Sequence, residues 1–157
     1  MKKALLLTLI IALVLPVTRA GAQTVSIHKQ PAFRSVGAGW WQGNDNGTDN
    51  RKGYTVTLAG SRILLDTDFE KGQGPVNFHI GPFIVPELDI TAGSFLAQIR
   101  LYPLIGVADF RSKDSRLDYG GAAALSAGML FGIMGAGFTI IGRYTRDTRA
   151  IAICVSF

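Results

Sequence analysis

Residues 149–157, Arg-Ala-Ile-Ala-Ile-Cys-Val-Ser-Phe, are the stretch from which the fold is predicted. The even positions from Ala150 to Ser156 are small, whereas the alternating odd positions are large and apolar. A period of two is that of a β-strand with two unlike faces. Residues 138–144 alternate in the same way, which predicts a hairpin turned at residues 145–148. The large apolar positions of the last strand are Ile151, Ile153, Val155 and Phe157.

The first 22 residues have the pattern of an export signal. Lys2 and Lys3 give a basic start, residues 4–14 form an apolar run too short to span comfortably, and Ala20 and Ala22 flank a glycine as in a cleavage site. We therefore expect residues 1–22 to be a cleaved signal peptide. Residues 23–157 are then expected to form one exported domain.

An exported chain with this last strand resembles bacterial outer-membrane β-barrel proteins. In that family the last strand carries the signal that the barrel-assembly machinery reads. The resemblance implies that this machinery and outer-membrane lipid are partners of the chain, and that it is located in the bacterial outer membrane. It assigns the assembly signal to Ile151, Ile153, Val155 and Phe157.

The predicted fold is all-β, an eight-stranded antiparallel up-and-down transmembrane β-barrel with both termini on the periplasmic side. Eight strands of about 9–11 residues plus turns account for the roughly 135 residues that follow the signal. A bulge is expected near Gly60, and polar connections are expected at residues 42–53, 66–74 and 111–118. The predicted strands are residues 25–41, 54–65, 76–81, 88–102, 104–110, 119–134, 138–144 and 149–157.

The strand alternation also predicts which side chains face the barrel interior. A barrel of eight strands is only wide enough for side chains, so we expect a closed network in which Arg100 and Arg143 pair with acids such as Asp109. A polar pore or ligand cleft is the functional alternative. The predicted interior residues are Thr55, Thr57, Asn77, His79, Gln98, Arg100, Asp109, Thr139 and Arg143.

Aromatic residues are predicted to form a belt at the outer end of the barrel. Rings collect at membrane interfaces because their faces are apolar while their edges tolerate lipid headgroups. Phe138 and Phe157 are expected at the opposite, inner end. The predicted outer belt consists of Trp40, Trp41, Tyr54, Phe110, Tyr119 and Tyr144.

Charge and composition limit the possible functions. Removal of the signal lowers the basic residues from 16 to 13 against 11 acidic ones, so the net charge falls from +5 to +2 and nucleic-acid binding has little support. Cys154 is expected to fill space on the small face of its strand. With His28 and His79 as the only histidines and no nucleophile motif, we expect no enzyme activity, metal or cofactor.

The predicted function is that of a small outer-membrane barrel of structural, surface-interaction or narrow-pore type. Its mixed-charge loops have two interpretations: they serve ordinary solubility, or they contact anionic lipid headgroups or surface polysaccharide outside the cell. One alternative is a soluble periplasmic barrel that binds a small apolar ligand. Another is a membrane helix at residues 120–142, which carry no charge and contain Gly128-x-x-x-Gly132. A lipid-modifying barrel enzyme is a further alternative, for which the sequence supplies no residues.

Overall fold

A computed structural model describes residues 24–26, 34–43, 51–60, 63–81, 87–113, 115–131 and 134–157. The expected signal peptide, its cleavage site and His28 lie outside the described residues. The described part of the chain is built from antiparallel strands. These are β1 (Thr24–Ser26), β2 (Ser35–Gly43), β3 (Lys52–Ala59), β4 (Leu64–Glu70), β5 (Gly74–Gly81), β6 (Glu87–Ala92), β7 (Phe95–Ala108), β8 (Arg116–Phe131), β9 (Met134–Thr145) and β10 (Thr148–Ser156).

Eight of these strands close into a ring. They follow the order β7-β5-β4-β3-β2-β10-β9-β8, and β8 pairs back onto β7. The short strands β6 and β1 extend this wall, because β6 pairs with the first half of β7 and β1 pairs with β6. Ser35 pairs with Ser156, so the start of β2 and the end of β10 lie at the same end of the barrel, which we call the inner or lower end. The opposite end, where β2 leads to β3, is called the outer or upper end. The predicted closed, eight-stranded antiparallel barrel is confirmed.

Paired residues on successive strands lie progressively further along the barrel axis, so the register is shifted after one full turn around the ring. A row that begins at Ile99 in β7 passes through Leu125, Ile140 and Ile153 and returns to β7 at Val107, a stagger of eight residues (107 minus 99). Eight strands with a stagger of eight are tilted by about 36° to the barrel axis. A nine-residue strand at that tilt rises by about 24 Å, close to the apolar band of a membrane barrel.

The predicted strand at residues 54–65 is wrong, because it contains two strands. The backbone N–H of Gly60 donates to Ile63 O at 2.8 Å and closes a turn between β3 and β4, where we expected a bulge. The predicted polar connection at residues 66–74 is wrong for the same reason, since Asp66 to Glu70 belong to β4. The predicted first strand is also divided, between β1 and β2.

Pro103 does not end a strand as predicted, because β7 continues through it from Phe95 to Ala108. The described pairings of β7 with β6 end at Arg100, and those with β5 begin at Ile105. Pro103 therefore lies between the described pairings of β6 and β5 on one side of β7, while on the other side it pairs with Gly121 in β8. The two predicted strands at 88–102 and 104–110 contribute only one strand to the ring, β7, together with the short β6. The predicted number of ring strands is still eight, because the single predicted strand at 54–65 contributes two, β3 and β4.

The expected alternative of a membrane helix at residues 120–142 is not found. This segment forms most of β8 and β9, which pair from Gly120 with Thr145 to Phe131 with Met134. In the described part of the chain, no helix has the length and hydropathy needed to cross a membrane.

Inward side chains are large on one half of the ring and small on the other. Strands β4, β5, β7 and β9 contribute polar side chains, whereas most inward positions of β2, β8 and β10 are glycine, alanine, serine or cysteine; the buried exceptions are Trp41, Asp118 and Thr148. A Cβ atom on Gly39 would lie 1.8 Å from Ile151 O, so this position requires glycine. Cys154, which is 1% exposed, packs on the same small side.

Candidate functional site

The interior of the barrel is the best-defined polar site of the molecule. Most of the residues predicted to face inward are at most 3% exposed, and Asp109 is the exception. Several buried residues come from positions that we had predicted as loop or had not assigned. The buried members of the predicted set are Thr55, Thr57, Asn77, His79, Gln98, Arg100, Thr139 and Arg143.

Arg143 lies at the centre of a buried ion-pair network in the upper half of the interior. Its Nη1 is 2.8 Å from Asp66 Oδ2, and its Nη2 is 2.6 Å from Asp68 Oδ2. Thr55 and Thr57 donate hydrogen bonds to Asp66, and Asn77 donates one to Asp68. A charge buried this deeply is stable only when it is paired and hydrogen-bonded, and the network provides both.

His79 connects Arg143 to a third carboxylate, Asp118. Arg143 Nη1 lies 3.0 Å from His79 Nδ1, and because a guanidinium can only donate, Nδ1 must accept. The proton therefore resides on Nε2, which donates to Asp118 Oδ2 at 2.8 Å. Thr145 Oγ1 and the Asp147 backbone N–H also donate to Asp118. Both ring nitrogens of His79 are therefore hydrogen-bonded, which fixes the orientation of the ring between Arg143 and Asp118.

Asp109 does not pair with Arg100 or Arg143 as predicted. It follows the end of β7 with a φ of 57°, which breaks the strand alternation and places its side chain at the outer rim. There its Oδ2 lies 2.9 Å from Arg51 Nη1, and Arg51 also pairs with Glu70 at 2.8 Å. The hydrogen bond to Glu70, supported by Asp109, raises the pKa of the Arg51 guanidinium above its ordinary value.

A second network occupies the lower half of the interior. Arg100 Nη2 donates to Ser126 Oγ at 2.9 Å, and Arg100 Nη1 donates to Gly60 O at 3.2 Å. Gln98 donates to Asp89 at 3.0 Å. Hydroxyl groups continue the chain of hydrogen bonds to the lower end, at spacings of 2.6–2.9 Å. They belong to Ser126, Thr139, Ser156 and Ser35.

A small cavity lies at the outer mouth of the barrel. Its volume is about 30 Å³, and Trp41, Arg51, Asp109 and Asp147 are among its lining residues. That volume is large enough to hold a water molecule.

The outer wall has the opposite character. Most outward positions around the ring carry apolar side chains, and those of β4 are the partly exposed Leu65 and Phe69, with Thr67 between them. Among the described residues, no charged side chain stands at an outward position between the two rims. A mostly apolar, uncharged wall around a polar interior is the reverse of the arrangement in a water-soluble barrel.

Exposed aromatic rings stand near both ends of this wall. Trp40 (69% exposed), Tyr54, Tyr119 and Tyr144 lie toward the end where β2 leads to β3 and β7 to β8, with Phe110 beyond β7. Phe131, Phe138 and Phe157 lie toward the other end. Trp41 does not belong to the belt as predicted, because neighbours in a strand face opposite ways. It is 4% exposed, and its Nε1 donates to Phe69 O at 3.1 Å.

The sequence analysis missed both acidic partners of Arg143. The signal was present, because Leu64, Asp66 and Asp68 alternate with Leu65, Thr67 and Phe69 as in a strand with a polar inner face. Asp118 was missed because it was assigned to the loop before β8.

Comparison of the chain with protein-family models, with curated proteins and with solved structures finds no match for any of the three. Within the described ranges, no group of three or more His, Cys, Asp or Glu side chains is arranged to hold a metal ion. The geometry of the barrel therefore carries the functional argument alone.

Proposed function

We propose that this chain is an integral outer-membrane β-barrel whose interior is closed by its own side chains, and which acts as a structural or surface-interaction protein. The observation that carries the proposal is the mostly apolar outer wall, free of charge between its rims in the described residues, around a charged, hydrogen-bonded interior. In a bilayer the apolar side chains of such a wall contact apolar lipid tails. Closure of the eight-stranded ring also pairs the backbone N–H and C=O groups that an open sheet would expose to lipid at its edges.

The free energy of transferring the outward side chains from water to an apolar environment supports a location in lipid. Each outward Leu, Ile, Val or Phe side chain gains about 1.5–3 kcal/mol when it leaves water. A wall with Ile105, Leu125, Ile140 and Ile153 each 40–58% exposed would be unfavourable in the periplasm. The soluble alternative needs a cavity for an apolar ligand, but the interior positions of this barrel hold ion pairs and hydroxyl networks.

The filled interior supports a role other than transport. Arg143 and its carboxylate partners occupy the upper half, while Arg100 and Tyr102 occupy the lower half and both donate to Gly60 O. The surfaces left for interaction are the outer wall and the outer rim, where we propose contacts with lipid headgroups or surface polysaccharide. The barrel-assembly machinery stays the proposed partner during insertion, with the outward row Ile151, Ile153, Val155 and Phe157 as its signal.

The two tryptophans of the chain supply a direct test. Trp41→Phe leaves Trp40, which faces outward at 69% exposure, and Trp40→Phe leaves Trp41, which is 4% exposed inside the barrel. Each variant is folded into phosphatidylcholine vesicles with and without brominated acyl chains, which quench only rings in contact with lipid. We expect strong quenching of Trp40 and little quenching of Trp41.

Two further measurements complete this test. A band that shifts on an SDS gel only after boiling is expected for the inserted barrel, and planar bilayers containing wild-type protein are expected to show no steady conductance. Failure to insert, or equal quenching of the two rings, would contradict the membrane proposal. A stable open-channel current would contradict the closed interior while leaving the membrane location intact.

A further inference from the structure

Outward side chains on β10, β2 and β3 form sharply different layers near the outer rim. The row closest to the rim is Arg149, Gln42 and Lys52, which are paired neighbours across the three strands. The next row toward the middle of the wall is Ile151, Trp40 and Tyr54. Successive outward rows lie about 6.6–6.8 Å apart along a strand. Within that distance the wall changes from cationic to aromatic.

A groove of about 670 Å³ lies along these two rows. Trp40 and Tyr54 line it below the cations, and Tyr54 is held in place by stacking on Phe69 at 5.2 Å between ring centroids. In the third row the central residue is Ala38, between Ile153 and Val56. Ala38 is exposed, and its small side chain leaves more room on the wall than its two neighbours do.

The two cations at this groove differ from Arg51 and Arg116 at the same rim. Arg51 is paired with Glu70 and Asp109, and Arg116 is paired with Asp147. Lys52 and Arg149 have no carboxylate partner among the residues that the structure describes, and Arg149 donates to the neutral Gln42 Oε1 at 3.1 Å. The groove lining contains these two positive charges and no acidic residue. Its charge is therefore complementary to an anion.

We infer that this groove binds the phosphate-bearing headgroup of an anionic membrane lipid, with Lys52 and Arg149 on the phosphate. Trp40 and Tyr54 pack against the headgroup–acyl boundary, and an acyl chain lies over the small side chain of Ala38. The two cations stand on either side of Gln42, one strand away each, so both side chains reach one phosphate. The inference rests on the proposed membrane location and adds to it a specific lipid class at a specific place.

The test measures which lipid stays bound. Wild-type protein in mixed micelles with equal amounts of phosphatidylglycerol and phosphatidylcholine is analysed by native mass spectrometry. We expect phosphatidylglycerol to be retained preferentially. In the double variant Lys52→Gln and Arg149→Gln this preference should fall by about thirtyfold, from the loss of two cations near an anionic headgroup. The matched control is Lys113→Gln with Arg146→Gln, which removes the same charge from other rim positions and should preserve the preference.

Each outcome has a defined meaning. Equal loss in the control pair would overturn the inference, because net charge alone would then explain the preference. Equal retention of the two lipids by wild-type protein would also overturn it. Displacement of the bound lipid by millimolar inorganic phosphate would show a site for free phosphate and overturn the lipid assignment. Wild-type protein that fails to show a heat-modifiable band would instead defeat the membrane proposal, so the two failures are distinguishable.

Discussion

Arg143 Nη2 and Asp68 Oδ2 lie 2.6 Å apart in the barrel interior, although 75 residues separate them in the chain. The contact joins β9 to β4, which lie four strands apart in either direction around the ring. A contact between residues so far apart in the chain is expected to slow folding, because loop-closure entropy is lost before the contact stabilises the fold.

Arg143→Met is expected to lower the free energy of unfolding by about 3–5 kcal/mol, because Asp66 and Asp68 are left as buried charges without their cation. The measurement is urea unfolding of the protein folded in detergent micelles. Arg146→Met, at the exposed turn between β9 and β10, is the control and should change stability by less than about 0.5 kcal/mol. Adding Asp68→Asn to Arg143→Met should recover part of the loss, and strictly additive effects would contradict the pairing.

Gly39→Ala is expected to destabilise the barrel by about 1–3 kcal/mol, since the new Cβ would meet the backbone oxygen of Ile151 at 1.8 Å. Ala38→Val is the matched control, one residue away on the exposed outer face of the same strand. The temperature at which the folded band disappears from an SDS gel compares the two. A larger effect at Ala38 would reverse the facing assigned to β2.

Leu125→Arg places a charge halfway along β8, on an outward position that is 40% exposed. In a bilayer this should cost about 2–4 kcal/mol, whereas Tyr119→Arg, close to the rim of the same strand, should cost only about 0–1 kcal/mol. Equilibrium folding into phosphatidylcholine vesicles measures both. Equal costs at the two depths would be incompatible with a bilayer around this wall.

Phe157→Ala is expected to reduce the assembled fraction in cells more than it reduces stability in detergent, if the outward row on β10 is an assembly signal. Phe138→Ala is its control, because Phe138 is 66% exposed, Phe157 is 61% exposed, and both lie at the inner end of the wall. The ratio of heat-modifiable to total protein in outer-membrane fractions measures assembly. The same ratio for both variants would make Phe157 an ordinary wall residue.

The facing of side chains was predictable from the sequence wherever the two faces of a strand differ strongly. The inward positions of Thr55, His79 and Gln98 follow from simple alternation, because a one-residue shift would expose them to the apolar side. The turn after Gly60 was not predictable in the same way, since a tight turn and a bulge both begin with glycine and a change of phase. Only the pairing partner decides between them, and that information is long-range.

The interior contacts depend on stagger, which single strands do not encode. The alternation predicted that Arg143 and Asp109 both face inward. In the structure the registers around the ring bring Asp66 and Asp68, rather than Asp109, to Arg143. Trp41 was misassigned because tryptophan at a strand end suggested a membrane interface, while alternation with Trp40 required the opposite face.

The eight-residue stagger of the ring, rather than the side chains inside it, determines the diameter of the barrel. Strand number and stagger together set the diameter of a barrel, so the bore belongs to the backbone. Shortening Arg100 and Tyr102 would therefore leave the diameter of the ring unchanged and enlarge the space inside it. In this barrel the backbone sets the width of the interior, whereas a few inward side chains decide how much of that width is open.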